Sequence, residues 1–141
     1  MILLTPTLRF ALRANDLARC AAGLNGNVDP DPVPIVKFFN PIGAATWLAT
    51  ELAGDGDTLF GLADLGFGCP EPGRFSLTEI AAVRLPFGLG IERDIAFETS
   101  LRLSVWTEMA RRAGSILWAE TLLRRAHPSG DNSTALPPPG G

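Results

Sequence analysis

Metal-assisted cleavage of a phosphodiester needs two or three carboxylates close enough to hold Mg²⁺, often with a lysine beside them. In this 141-residue chain the nearest set is Lys37, the only lysine, with Glu51 and Asp64, one on each of three successive apolar segments. If those segments are adjacent strands, Lys37 and Glu51 can meet. Glu51 and Asp64 are then the candidate catalytic residues and Mg²⁺ ligands for cutting single-stranded DNA. No Asp-x-Glu or Glu-x-Lys pair reinforces the set. The structural reading is simpler: Lys37 and Glu51 form a cross-strand ion pair worth ~0.2–1 kcal/mol, and Asp64 accepts from turn amides near Gly66.

Other chemistries lack parts. The one histidine, His127, lies in a Pro/Gly/Ser-rich terminal stretch, so Cys69 has no base to activate it. Cys20 and Cys69 are isolated and read as reduced, semi-buried thiols, too few for a zinc site. Glu79 is explained by the capping-box pattern Ser76-Leu77-Thr78-Glu79. Asp55 and Asp57 flank Gly56, but the rest of a calcium loop is missing. Gly61, Gly66, Gly68 and Gly73 fit neither a dinucleotide fingerprint nor a P-loop, so a glycine-rich phosphate cradle is unsupported. Arg93 falls on an apolar strand face, where it either binds an anion or pairs with Glu51 or Asp64.

Binding surfaces are better supplied. The net charge is −3, with twelve acids against seven bases in residues 1–99 (−5) and five arginines against three acids in 100–141 (+2). An acidic body repels nucleic acid unless it carries a local basic stripe. Arg9/Arg13, one helical turn apart, and Arg111-Arg112 with Arg124-Arg125 are the candidates. Phe38, Phe39, Trp47, Phe60 and Phe75 would form either a stacking platform for single-stranded bases or an ordinary core. Trp106 and Trp118, with Leu122-Leu123, exceed what one side of a helix needs, and Trp and Arg are favoured interface anchors.

The elements that must position these residues follow from periodicity. Thr5 as N-cap and Pro6 at the first position begin a helix over 5–22, with Leu8 and Leu12 facing inward and Asn15-Asp16 a possible interruption. Residues 33–39 read as a strand with Val33, Ile35, Lys37 and Phe39 on one face. Residues 45–52 and 58–65 read as a hairpin around Gly54-Asp55-Gly56, against a rival helix over Gly43–Leu52. A short strand at 74–76, a helix from Ser76 to about Leu85 and a strand over 91–98 come next. A long helix over about 104–125, with Gly114 as a weak point, carries the stripe Trp106, Met109, Ala110, Ala113, Ile116 and Leu117. The fold class expected is α+β, a mainly antiparallel sheet of about five strands with an N-terminal, a short central and a C-terminal helix. The domain spans 1–126, and 127–141 is a disordered tail by composition.

The run Val33-Pro34-Ile35-Val36-Lys37-Phe38-Phe39-Asn40-Pro41, then Ala45 to Leu52, Asp57 to Gly66, Gly73-Arg74-Phe75-Ser76-Leu77-Thr78-Glu79-Ile80 and Ile91-Glu92-Arg93-Asp94, resembles a small bacterial family, domain of unknown function 2958. The likeness covers about residues 2–99 and leaves out the C-terminal helix. It implies an α+β domain common among genes of plasmids, conjugative elements and phages, some members carrying a loose label as single-stranded DNA endonucleases. It implies no catalytic residues. Taken with the residues themselves, the expectation is an accessory protein of a mobile element that binds a partner protein, a host defence component being one target. The binding residues would be Trp106, Arg111, Arg112, Trp118, Arg9, Arg13 and Arg93. The alternatives are a Mg²⁺-dependent single-strand endonuclease and a single-strand DNA binder. No cofactor is expected outside the nuclease reading, and a homo-oligomer through the C-terminal helix is open. The run Met1–Pro6 is too short for a signal peptide, and no apolar stretch nears the ~18 residues of a membrane span. A soluble cytoplasmic protein is therefore expected.

Overall fold

A computed structural model describes residues 1–126; the expected tail and His127 lie outside the described residues. Helix α1 (Pro6–Leu24) starts where the sequence placed it, the Thr5 hydroxyl accepting from the Leu8 amide at 3.3 Å. Asn15 and Asp16 do not interrupt it. Asn15 Nδ2 donates to the Thr50 carbonyl at 2.9 Å, and Asp16 takes Arg13 and Arg19 on its two oxygens.

Strands β1 (Val36–Phe39), β2 (Thr46–Leu52), β3 (Thr58–Asp64), β4 (Glu71–Ser76) and β5 (Glu92–Arg93) form one antiparallel sheet in the order β4-β3-β2-β1-β5. Residues 46–52 are therefore strand, and the rival helix is absent. In the β2–β3 turn, Gly56 takes φ +74°, and the Asp55 carboxylate accepts from the amides of Asp57 and Thr58 and the Thr58 hydroxyl. Those donors pull the Asp55 carboxyl down to about 2. Asp57 reaches the other way, to Ser76 and to the Thr78 hydroxyl and amide, which lowers its pKa and ties the hairpin to α2 (Leu77–Ala82).

One side of the sheet packs on α1. Val36, Phe38, Trp47, Ala49, Leu52 and Leu59 share a core with Leu12. The other side packs Leu48 and Leu62 against α3 (Leu103–Ala113) and α4 (Ile116–Ala126) through Trp106, Ala110, Ile116 and Ala119. Strict alternation from Leu48 would put Leu52 on the α3 side and Glu51 on the α1 side. A β-bulge between Ala49 and Glu51 inserts Thr50 and exchanges them, leaving Glu51 opposite Phe60 and Leu52 opposite Leu59. Gly61, opposite Ala49 beside the bulge, has no room for a side chain, since a Cβ there would sit 1.8 Å from the Leu48 carbonyl oxygen.

Several boundaries differ from expectation. β1 begins at Val36, and Ile35 packs on the α1 side, so it does not share a face with Lys37. β4 runs from Glu71 because it pairs with β3 along Thr58–Ala63, and an edge strand tolerates Pro72. β5 is short because the chain turns after Arg93, with Asp94 Oδ1 accepting from the Ala96 amide at 3.0 Å. α2 stops at Ala82, short of the expected Leu85, because Val83 already takes extended geometry; Leu85, before Pro86, is extended too. The short turn Pro86–Gly88 holds Phe87 at φ +66°, on the surface. The expected single C-terminal helix is two, because Gly114 at φ +89° ends α3.

Candidate functional site

Asp64 ends β3 fully buried. Its Oδ1 accepts from the Gly66 amide and its Oδ2 from the Ile116 amide, each at 2.9 Å. The turn-amide reading of Asp64 is thus the observed one, and the second bond fastens the start of α4 to the sheet. Glu51 lies elsewhere. It is level with Phe60, four residues from Asp64 along β3, which is about 13 Å at strand rise. The two carboxylates do not converge, and among the described residues no group of three or more His, Cys, Asp or Glu side chains is placed to hold a metal ion.

The expected Lys37–Glu51 pair does not form either. The bulge turns Glu51 to the groove beside α3, where its Oε1 accepts from Arg19 Nε at 2.9 Å. That hydrogen bond and the adjacent charge hold the Arg19 pKa above its ordinary value. Lys37 instead donates to both oxygens of Glu120 on α4, at 2.8 and 2.9 Å, with Asp94 at 3.6 Å. Glu120 and Asp94 border a cavity of about 660 Å³ between α4 and the 94–101 segment.

The arginine stripe on α1 serves the backbone. Arg9 Nη1 donates to the Gly56 carbonyl and Arg13 Nη1 to that of Leu52. With Asn15 they occupy carbonyls at the end of β2 and in the turn beyond, where β2 has run past the start of β1. Arg93 pairs with neither Glu51 nor Asp64; its Nη1 donates to the carbonyls of Ile2 and Leu3. Arg111 and Arg112 sit in exposed pairs with Glu71 and Glu108. Each such pair is worth about 0–1 kcal/mol.

The aromatics divide. Trp106 is buried and donates to the Thr99 hydroxyl, so it is core and offers no surface. Phe38 and Trp47 are buried under α1 and Phe75 packs on the same core, while Arg74 lies 5.6 Å from the centre of the Phe60 ring and Lys37 Nζ 5.8 Å from that of Phe39, so among the described residues these five form no open platform. Trp118 is exposed, as expected, together with Leu122 and Leu117; the last departs from the core stripe because Gly114 resets the helix phase. Both cysteines are exposed, where semi-burial was expected.

Three groups carry no local signal in the sequence. Arg19 and Glu120 are the true partners of Glu51 and Lys37, at separations of 32 and 83 residues that no local pattern reports. Phe67 stands 82% exposed in the β3–β4 loop, with Leu65 in the same loop and Ile42 in the β1–β2 turn. That loop and the first turn of α4 meet at Asp64, so Leu65 and Phe67 lie at the same end of the molecule as Leu117 and Trp118.

The model of a family described as "Protein of unknown function (DUF2958)" matches residues 3–117. The match runs through α3 into α4, beyond the point near residue 99 where the motif likeness ends. No curated protein and no solved structure matches the chain.

Proposed function

The chain belongs to the DUF2958 family, whose description assigns no activity, and on that footing we propose that it is a binding protein that docks another protein on the apolar end around Asp64. The observation that carries this reading is the set of Phe67, Leu65, Trp118 and Leu122 left in solvent on elements anchored by a buried carboxylate. Large exposed apolar groups on a fixed frame are what interfaces use. Trp118 and Leu122 are one helical turn apart, so they present together. An accessory role in a mobile element, with a host defence protein as target, fits a small acidic domain of this kind and the company its family resemblance implies. The nuclease alternative draws no support from Glu51 and Asp64, which stand apart and already hold partners.

The test is crosslinking capture in cells, with intact chain against Phe67→Ser/Trp118→Ser. A partner held by the intact chain and lost from the variant supports docking at this end. Equal recovery with both proteins places the interface elsewhere and defeats the proposal. In parallel, labelled single strands incubated in Mg²⁺ with intact chain and with Glu51→Ala test the alternative; cleavage that needs Glu51 would revive it.

A further inference from the structure

Helix α1 carries apolar residues on two opposite faces. Inward, Leu8 and Leu12 join the core. Outward, Phe10, Ala14, Leu17, Ala21 and Leu24 are all exposed and follow one another at spacings of four, three, four and three residues. That spacing lays them in one line down the side of the helix opposite Leu12. The four charged residues of α1 are all held toward the body: Arg9 by the Gly56 carbonyl, Arg13 by that of Leu52, Asp16 by Arg13 and Arg19, and Arg19 by Glu51. A surface helix ordinarily does the reverse and turns its charges to water. The outer line of α1 therefore carries no charge along a helix of 19 residues, about 28 Å at helical rise.

The line alternates large and small side chains. Reversing a second copy about the middle of the helix sets Phe10 of one against Ala21 of the other, Leu17 against Ala14 and Leu24 against Thr7. Each large side chain then meets a small one over the full length of the helix, as close packing requires. A copy running the same way stacks large on large and leaves gaps between alanines. Phe10, Leu17 and Leu24 are 77%, 58% and 89% exposed, which amounts to roughly 400 Å² per copy and roughly 800 Å² for a pair before the alanines are added. A specific interface needs about 1,000 Å² in total. We propose that the chain forms an antiparallel homodimer through the outer face of α1. The contact is helix on helix and adds no strand to the sheet. It lies across the sheet from α3 and α4, so it stands or falls separately from docking at the Asp64 end.

Sedimentation equilibrium of the intact chain at roughly 1–100 μM, where interfaces of modest size dissociate, tests the proposal. A mass rising with concentration toward twice 15.0 kDa is expected. Leu17→Glu puts a charge in the middle of the line and should weaken the dimer roughly a hundredfold or more. Leu17 is exposed, so the variant should fold, and an unchanged far-UV circular dichroism spectrum checks that it does. Ala14→Leu and Leu17→Ala should each weaken the dimer roughly tenfold, and the two together should restore it, since they exchange large and small within one layer. An intact chain that stays monomeric at the highest concentration overturns the proposal and leaves the face to another protein. A dimer that survives Leu17→Glu overturns it too and places the contact elsewhere, as on the C-terminal helices. Ala14→Leu tightening the dimer overturns the antiparallel seating, because only a parallel pair has room for a larger side chain there.

Discussion

Replacing Asp64 by alanine removes two hydrogen bonds of 2.9 Å from a fully buried carboxylate and leaves the buried Ile116 amide without its acceptor. Hydrogen bonds to a charged group contribute about 1.5–3 kcal/mol each. Desolvation of the carboxylate offsets part of that sum, so a loss of about 3 kcal/mol is expected. Asp64→Asn keeps one carbonyl oxygen as acceptor and turns an NH₂ toward the other amide, so its loss should be of similar size or somewhat smaller, about 2–3 kcal/mol. Urea denaturation followed by far-UV circular dichroism gives both values. Amide exchange at Ile116 gives a local readout, because α4 is released where the carboxylate was. Should Asp64→Ala unfold within about 1 kcal/mol of the parent, the range of an ordinary surface change, the assignment of Asp64 as the anchor of α4 is wrong.

Other substitutions probe other parts of the frame. Gly61→Ala would place a methyl 1.8 Å from the Leu48 carbonyl, so a loss of roughly 3 kcal/mol or more is expected in the same denaturation assay. Lys37→Met leaves the part-buried Glu120 carboxylate with Arg124 alone, 3.6 Å away; about 2–3 kcal/mol should be lost, and Lys37→Met/Glu120→Leu should recover much of it. A double mutant no better than the single would refute the pairing. Phe87→Gly removes the cost of a positive φ and should raise stability by about 1 kcal/mol. Asp55, held at about 2 in the fold against an ordinary 3.8, contributes stability that is present above pH 4 and is lost as pH falls through about 2. Acid titration of Asp55→Asn should therefore show a shallower decline between those values, and an unchanged slope would contradict the turn geometry.

Local chemistry was legible and non-local pairing was not. The helix start at Thr5-Pro6, the Gly54-Asp55-Gly56 hairpin and the cap at Ser76 follow from residues a few positions apart, and each forms as read. The five-stranded antiparallel sheet follows from alternation and turn spacing. The bulge at Thr50 was hidden because nothing in Ala49-Thr50-Glu51 distinguishes a bulged strand from a regular one. That one extra residue carries Glu51 to the other face and removes it from Lys37. The charge of Arg93 suggests a carboxylate or anion partner, whereas its position is set by two backbone carbonyls of the N-terminal segment. Gly114 is a weak point by helix propensity alone, but its left-handed geometry divides the helix and puts Leu117 in solvent.

β1 is four residues long and β2 seven, so the end of β2 lies past its neighbour. Bare strand edges recruit whatever strand arrives next, including one from another molecule. Here Arg13 and Asn15 stand where that strand would lie, each holding a carbonyl that an incoming chain would need. Arg13, one of the two arginines whose spacing suggests a landing strip for nucleic acid, thus acts with Asn15 as a barrier against edge-to-edge self-assembly. Shortening both side chains would show itself first as concentration-dependent aggregation, before any loss of binding.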